Sequence, residues 1–202
     1  MSVKYSFIIP FFNSKKFLAR AIKSIIKQKK LDIEIILVDD CSSDNSYEVA
    51  NYFKKKYPFI KIIKNKTNLG VGISRNKALK RASGEFLIFL DSDDELFDNS
   101  LTGLSRAIKN KKNADLIVLK HKKTTYPQTN IKLIQDLNNL NYSPRLFIHY
   151  LLKSKLPFAD CWFFCVKNNL IRKNNIMFPP SRFGESEFFV LQVLLKIKSF
   201  SC

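Results

Sequence analysis

The first ninety residues alternate two periodicities, and that alternation constrains the architecture more tightly than any single motif. Compact apolar runs at residues 3–9, 33–38, 59–63 and 86–90 are separated by stretches whose apolar residues recur at helical spacing. Pro10 stops the first run. Phe17, Leu18, Ala21, Ile22, Ile25 and Ile26 then mark one face of a helix, opened by Asn13 or Ser14. A second helix is expected from about Ser46, where Asn45 and Glu48 resemble a capping box. A third is expected over residues 71–82. Strand–helix–strand units of this kind build a parallel sheet with helices on both faces. The expected fold class is therefore α/β.

In such sheets ligands sit outside the carboxyl ends of the strands. The second strand ends in Asp39 and Asp40, and the fourth in Asp91, Ser92, Asp93 and Asp94. Both clusters are expected on one rim. The second and fourth strands are expected to end side by side, with Asp40 and Asp93 facing a shared pocket.

The second half is less regular. Residues 101–108 and 185–197 read as helices, 115–119 as a strand and 122–130 as a loop. Residues 144–152 read as a helix, apolar on one face and basic on the other, and 161–166 as an aromatic β-like run. A boundary near Phe97 divides the chain into 1–97 and 98–202, two halves of one domain.

The chain has 202 residues, 46% of them hydrophobic, enough for one sizeable core. Its 35 basic and 17 acidic residues give a formal charge of +18. That balance suits an acidic ligand or an anionic membrane surface, and also a lysine-rich solvated exterior. Lysines cluster in short groups without a long basic tail, and nucleic acid is not an expected partner. Cys41, Cys161, Cys165 and Cys202 form no CxxC pair, and His121 and His149 lie far from them. Neither a zinc site nor a disulfide framework is expected. No stretch approaches the ~20 apolar residues of a spanning helix, and the N-terminus lacks the features of a signal peptide. A cytoplasmic protein is expected, at most peripheral on the inner membrane face.

Four segments carry chemistry. The strand ending in Asp91, Ser92, Asp93 and Asp94 delivers closely spaced carboxylates, which repel unless a cation or hydrogen-bond donors compensate. A divalent ion held by one or two carboxylates plus phosphate oxygens meets that need. An EF-hand is excluded, because Leu96 stands at the sixth loop position where Gly is required. Asp40 can accept a hydrogen bond from a base imide or a ribose hydroxyl, whereas Ser42, Ser43 and Asp44 suit helix capping. Asn68, Gly70, Gly72 and Arg75 open a helix whose N-terminus favours an anion, and Arg75 adds a fixed positive fork. Neither GxGxxG nor GxxxxGK[ST] is present. Last, Glu185 and Glu187 sit where a carboxylate near a donor sugar could take a proton from an acceptor hydroxyl. They also suit a helix N-terminus simply by opposing its dipole.

In this order the segments resemble glycosyltransferase family 2 of the GT-A fold, bacterial type. The resemblance rests on Ser6 to Asn13, Glu34 to Asp44, Arg75 with Asn76, and Gly84 through Asp94; it resumes weakly around residues 160–195. It implies a mixed, mainly parallel sheet with a smaller C-terminal acceptor portion. It also implies transfer of a sugar from a nucleotide-diphosphate donor, UDP-linked, to a hydroxyl of a glycan or glycolipid. Pro10, Phe12 and Asn13 would line the nucleotide pocket and Asp40 would read the uracil. Arg75 would lie against the nucleotide or diphosphate, beside Asn68 and Gly70. Asp91, Ser92 and Asp93 match the DxD motif, with Asp93 on a divalent metal (Mn2+ or Mg2+) and Asp91 on the ribose or the metal. Trp162 could stack against a sugar face, although an aromatic in this run is more often core. Many relatives carry a Glu-Asp pair whose Asp is the catalytic base. Ser186 stands at that place here, so the role passes to Glu185, with Glu187 next. Otherwise the chain is a catalytically weak, nucleotide-sugar-binding form. No QxxRW motif supports a processive synthase. A sugar-nucleotide nucleotidyltransferase would need a Gly-rich basic loop where Pro10 to Asn13 stand.

Overall fold

A computed structural model describes residues 4–28, 32–110, 114–119 and 160–201. The strands are β1 (Tyr5–Phe11), β2 (Ile33–Asp39), β3 (Ile60–Lys64), β4 (Phe86–Phe89), β5 (Leu116–Val118), β6 (Phe164–Lys167) and β7 (Phe200–Ser201). The helices are α1 (Leu18–Ile26), α2 (Ser46–Lys56), α3 (Val71–Arg81), α4 (Ser100–Asn110), α5 (Asn168–Lys173) and α6 (Glu185–Leu194). One mixed sheet runs in the order β3-β2-β1-β4-β6-β5-β7. β3, β2, β1 and β4 are parallel, and β6 runs antiparallel to both β4 and β5. β2 and β4 are therefore not side by side as expected. Each pairs with β1, which lies between them: Phe7 aligns with Ile35 on one side and Ile88 on the other.

The apolar runs are continuous because both faces of the sheet are covered. Side chains alternate between faces along a strand. Ile8, Ile36 and Leu87 thus pack with Ala78 of α3 and with Phe189 and Val193 of α6. Phe7, Ile9, Ile35, Leu37 and Ile88 pack on the other face with Leu18 and Ile22 of α1, Phe53 of α2 and Leu101 of α4. Each fully buried Ile, Leu or Phe stabilises the fold by about 1.5–3 kcal/mol over its exposed state. Residues from both sides of Phe97 contribute to both layers.

At the end of the sheet opposite the acidic strand ends, Glu34 is buried and acts as a hub. Its Oε1 accepts from Ser6 Oγ (2.6 Å), Ser83 N (2.6 Å) and Gly84 N (3.2 Å), and its Oε2 from Lys61 Nζ (2.6 Å). Burial works to raise the Glu34 pKa, but the bonds from Lys61, Ser6 and Ser83 outweigh it and hold it below the ordinary 4.5. Gly84 is required at this junction. A Cβ there would fall 2.6 Å from Ser6 Oγ and 2.7 Å from Ser6 N.

Several local expectations are corrected. Helix α1 starts after Phe17, without a side-chain cap; the Ser14 carbonyl accepts from Phe17 N and Leu18 N. Asn45 makes no capping bond, and the Asp44 carboxylate accepts from Ser46 N at 2.9 Å instead. Cys161–Phe163 forms a 3-10 turn and β6 begins only at Phe164. α6 ends at Leu194. The loop expected at 122–130, the helix at 144–152, His121, His149 and Cys202 lie outside the described residues.

Candidate active site

Three loops leave the carboxyl ends of β1, β2 and β4, and side chains of the central loop stitch them together. Asn13 adopts a left-handed φ of 49°, a conformation that Asn tolerates better than most residues. Its Oδ1 accepts from Ser43 N (2.8 Å) and Ser43 Oγ (3.2 Å), and its own N–H donates to Ser42 Oγ (3.1 Å). On the other flank Ser14 Oγ meets Ser92 Oγ at 2.8 Å, and Arg20 Nη2 donates to the Asp93 carbonyl at 2.6 Å. The β2 and β4 ends are thus joined through the β1 loop. Pro10 is buried within β1 opposite Val38, whereas Phe12 is exposed at its end.

Asp40 is buried, and both its oxygens are committed. Oδ1 accepts from Asn65 Nδ2 (2.7 Å) and Leu69 N (2.9 Å), and Oδ2 from Gly70 N (2.8 Å). Asp40 therefore fixes the loop that precedes α3, where Gly70 takes a left-handed φ of 88° and Asn68 is exposed. Asn65, just beyond β3, extends the network: its Nδ2 also donates to Ser74 Oγ (2.9 Å), and its Oδ1 accepts from Lys77 Nζ (2.6 Å). Neighbouring Asp39 is fully buried. Its Oδ1 accepts from Ser42 N (2.9 Å), while Oδ2 has no hydrogen-bond partner.

Arg75, one turn into α3, joins the two halves of the chain. It is 3% exposed. Nη2 donates to Asp91 Oδ1 at 2.7 Å, Nη1 donates to Ser186 Oγ at 3.1 Å, and Nη1 lies 3.6 Å from Glu185 Oε1. The guanidinium also stands 5.4 Å from the Phe178 ring centroid, within cation–π range. Its Nε has no partner. Burial works to lower the Arg75 pKa, but the carboxylates of Asp91 and Glu185 oppose it and the net shift is upward. Arg75 stays charged. Gly72 allows this approach, since a Cβ there would lie 3.1 Å from Glu185 Cγ and 3.3 Å from Phe178 Cβ.

Ser186 Oγ accepts from Arg75 and donates to Cys161 Sγ at 3.8 Å. Burial pushes the Cys161 thiol up to about 11, so it remains neutral. Glu185 is mostly buried beside Arg75, and Glu187 is exposed one residue past Ser186. Trp162 is half-buried next to Cys161, its ring stacked on Phe163 at 4.1 Å.

The acidic turn after β4 is open. Asp91 N–H and C=O lie at its start, and the Asp91 carbonyl accepts from Asp94 N at 3.1 Å. Asp91 is about one-third exposed and keeps one oxygen beyond its bond to Arg75, and the Asp93 side chain is exposed. Among the described residues no three His, Cys, Asp or Glu side chains converge on one point. A donor set of one or two carboxylates fits Mg2+ or Mn2+, which complete their shells with phosphate oxygens and water, and does not fit zinc. A groove of about 710 Å3 between α1 and α2, lined by Val49 and Phe53 among others, contains none of these carboxylates.

The sequence pointed to Asp40, Arg75, Asp91, Asp93 and Glu185. The structure joins Asp91, Arg75 and Glu185 directly and places Asp40 in a separate network with Gly70. Asn65 and Ser74 were missed. Their only signal was a polar residue directly after the third strand and a small one in the first turn of α3.

A mainly parallel sheet with one reversed strand, carrying carboxylates on its loops, is the GT-A architecture, and solved structures bear this out. The fold matches Staphylococcus aureus TarS in complex with UDP at a TM-score of 0.78, with 26% identity over 98% of this chain and 57% of that one. TarS with UDP-GlcNAc matches equally, at 55% of its chain. A mannosyltransferase from Pyrobaculum calidifontis, in complex with GDP-Man and Mn2+, shares the fold alone, at 13% identity and a TM-score of 0.71. The chain belongs to glycosyl transferase family 2, whose model matches residues 6–176. It is 35% identical to a cholesterol galactosyltransferase of Borreliella burgdorferi, covering 98% of this chain and 57% of that protein. It is 31% identical to a poly(ribitol-phosphate) beta-glucosyltransferase of Bacillus spizizenii, covering 98% and 31%. Over half of its length it is 43% identical to a Campylobacter jejuni glucosyltransferase acting on GalNAc(5)-diNAcBac-PP-undecaprenol, covering 33% of that protein. The chain thus spans between about a third and three-fifths of these relatives.

Proposed function

We propose that this chain transfers a sugar from a nucleotide-diphosphate sugar, UDP-linked, to a hydroxyl of a bacterial surface glycan or glycolipid, inverting the anomeric carbon. The observation that carries the reading is Arg75, which ties the donor-side Asp91 to the acceptor-side Glu185. The solved complexes of TarS with UDP and with UDP-GlcNAc support a UDP-linked donor. The named acceptors of the relatives, a sterol, a poly(ribitol-phosphate) and a polyprenol-linked glycan, support a cell-surface acceptor.

In this reading Asp93 and the second oxygen of Asp91 would hold a divalent ion, Mn2+ or Mg2+, which would supply positive charge against the departing diphosphate. Glu185 takes the proton of the acceptor hydroxyl. As that oxygen bonds to the anomeric carbon, the bond to the diphosphate oxygen breaks and its electron pair leaves with the nucleoside diphosphate. Asp40 fixes the Leu69–Gly70 loop against the nucleotide, near Pro10, Phe12, Asn13 and Asn68. Trp162 offers an aromatic face to the acceptor sugar. The protein works in the cytoplasm, on its own or at the inner membrane face; among the described residues no helix is long and apolar enough to cross a membrane.

Ser186 at the position of the relatives' aspartate favours a second reading, a chain that binds the donor but turns it over weakly. Thermal-shift screening of UDP-, GDP- and CMP-sugars with and without Mn2+, followed by product analysis, tests both. A metal-dependent shift with a UDP-sugar and release of UDP is expected. A shift without turnover selects the second reading. Pyrophosphate release would mark a nucleotidyltransferase, and full turnover in excess EDTA, or by Asp93→Ala, would remove the metal role.

A further inference from the structure

The outward face of α6 is unlike that of any other long helix described in this fold. α1 turns Arg20 and Lys23 to solvent, and α2 turns Lys54, Lys55 and Lys56. α6 turns out Phe188 and Leu191, which are 59% and 41% exposed, and Leu195, its C-cap, is 67% exposed. Their spacing of three and four residues places them in one stripe. The opposite side of the same helix is also apolar: Phe189, Val190, Val193 and Leu194 are buried against the sheet. A helix apolar on both sides needs a second apolar environment. Phe183, 90% exposed, is a further apolar side chain just before the helix, next to Gly184 in sequence.

We propose that this face of α6 docks on a phospholipid bilayer carrying anionic headgroups. Charge selects the bilayer over a second copy of the chain. Lys196 and Lys198 are exposed at the far end of the stripe, and the chain carries a formal charge of +18. Two copies would bring like charge together, whereas anionic headgroups attract it. An apolar stripe flanked by lysines is how an amphipathic helix lies in the headgroup region. Glu187 is the acidic side chain next to the stripe, at its site end. The placement also narrows the acceptor. Phe183 lies two residues before Glu185, so docking would bring this end of α6 to the bilayer surface, which favours a lipid-linked hydroxyl as the acceptor class; this consequence rests on the transfer reading above, whereas the docking does not.

The test is co-sedimentation of the full chain with vesicles of phosphatidylcholine alone or mixed with phosphatidylglycerol. Binding to the mixed vesicles is expected, weakening as salt is raised. The double variant Phe188→Ser, Leu195→Ser should lower binding at least about tenfold, while melting temperature and the shift produced by UDP with Mn2+ stay unchanged. The proposal is overturned if the wild type stays in the supernatant or if the double variant binds equally. It is also overturned if the wild type is a dimer that the double variant dissociates. Vesicle binding without any UDP shift would support the docking while removing the donor reading.

Discussion

Asp91 Oδ1 and Arg75 Nη2 are 2.7 Å apart, and Arg75 is 3% exposed while the Asp91 side chain is about one-third exposed. A buried cation thus anchors a carboxylate that still reaches solvent at the end of β4. The same guanidinium touches Ser186, 111 positions along the chain.

Arg75→Ala should destabilise the fold by about 3 kcal/mol, because it strips the partner from Asp91 and from the largely buried Glu185. Arg75→Lys keeps the charge but not the fork that reaches Asp91 and Ser186 together. Its stability should lie between those of Ala and wild type, with turnover about ten- to a hundredfold lower through misplaced carboxylates. Urea denaturation and kcat measure the two effects. Wild-type turnover by the Lys variant would show that the fork is dispensable.

Glu185→Gln is expected to lower kcat by about 10²–10⁴-fold with little change in donor affinity, the signature of a lost general base. Glu187→Gln, at an exposed position, should stay within a few-fold of wild type. Steady-state kinetics with isothermal titration of UDP separates the two. The reverse pattern would move the base to Glu187.

Two glycines should respond in opposite directions. Gly84→Ala forces a Cβ to 2.6 Å from Ser6 Oγ and 2.7 Å from backbone N of Ser6, at a cost of about 1–3 kcal/mol or more. Gly103 lies within α4, and a Cβ there meets nothing within 4 Å. Gly103→Ala should stabilise by about 0.5–1 kcal/mol through the helix propensity of Ala. Thermal melts of the two variants decide this.

Glu34 predicts an acid limb. Its folded-state pKa is below the ordinary 4.5, so the unfolded chain takes up the proton first. Its contribution is present in full above 4.5 and is lost as pH falls through the folded value. Wild-type melting temperature should therefore drop below pH 4.5. Glu34→Gln should be about 2–4 kcal/mol less stable at pH 7, and its acid limb should be shallower. Parallel limbs for the two proteins would show that another group sets the acid response.

The first half of the fold was legible because its strands are buried on both faces and so spell continuous apolar runs, and because Pro10 and the aspartates end them. The order of the sheet was not. Periodicity marks a strand but not its neighbour, and the insertion of β1 between β2 and β4 depends on side chains meeting across the sheet. The acidic rim could be read from strand ends. The bond from Arg75 to Ser186 could not, since nothing local to either residue records a contact between α3 and α6. Asp40 is the instructive case. Its position at a strand end was visible, but the amides of Leu69 and Gly70 that occupy it come from a loop whose path depends on Gly70's left-handed φ of 88°. The reversal of β6 likewise follows a segment that is helical in its first three residues, where aromatic content alone suggested a strand.

Asn13 and Ser14 reach in opposite directions, one to the turn after β2 and the other to the acidic turn after β4. The β1 loop is thus a keystone. A substitution that shifts one flank therefore strains the span to the other, so under the transfer reading proposed above a change of base preference would carry a catalytic penalty.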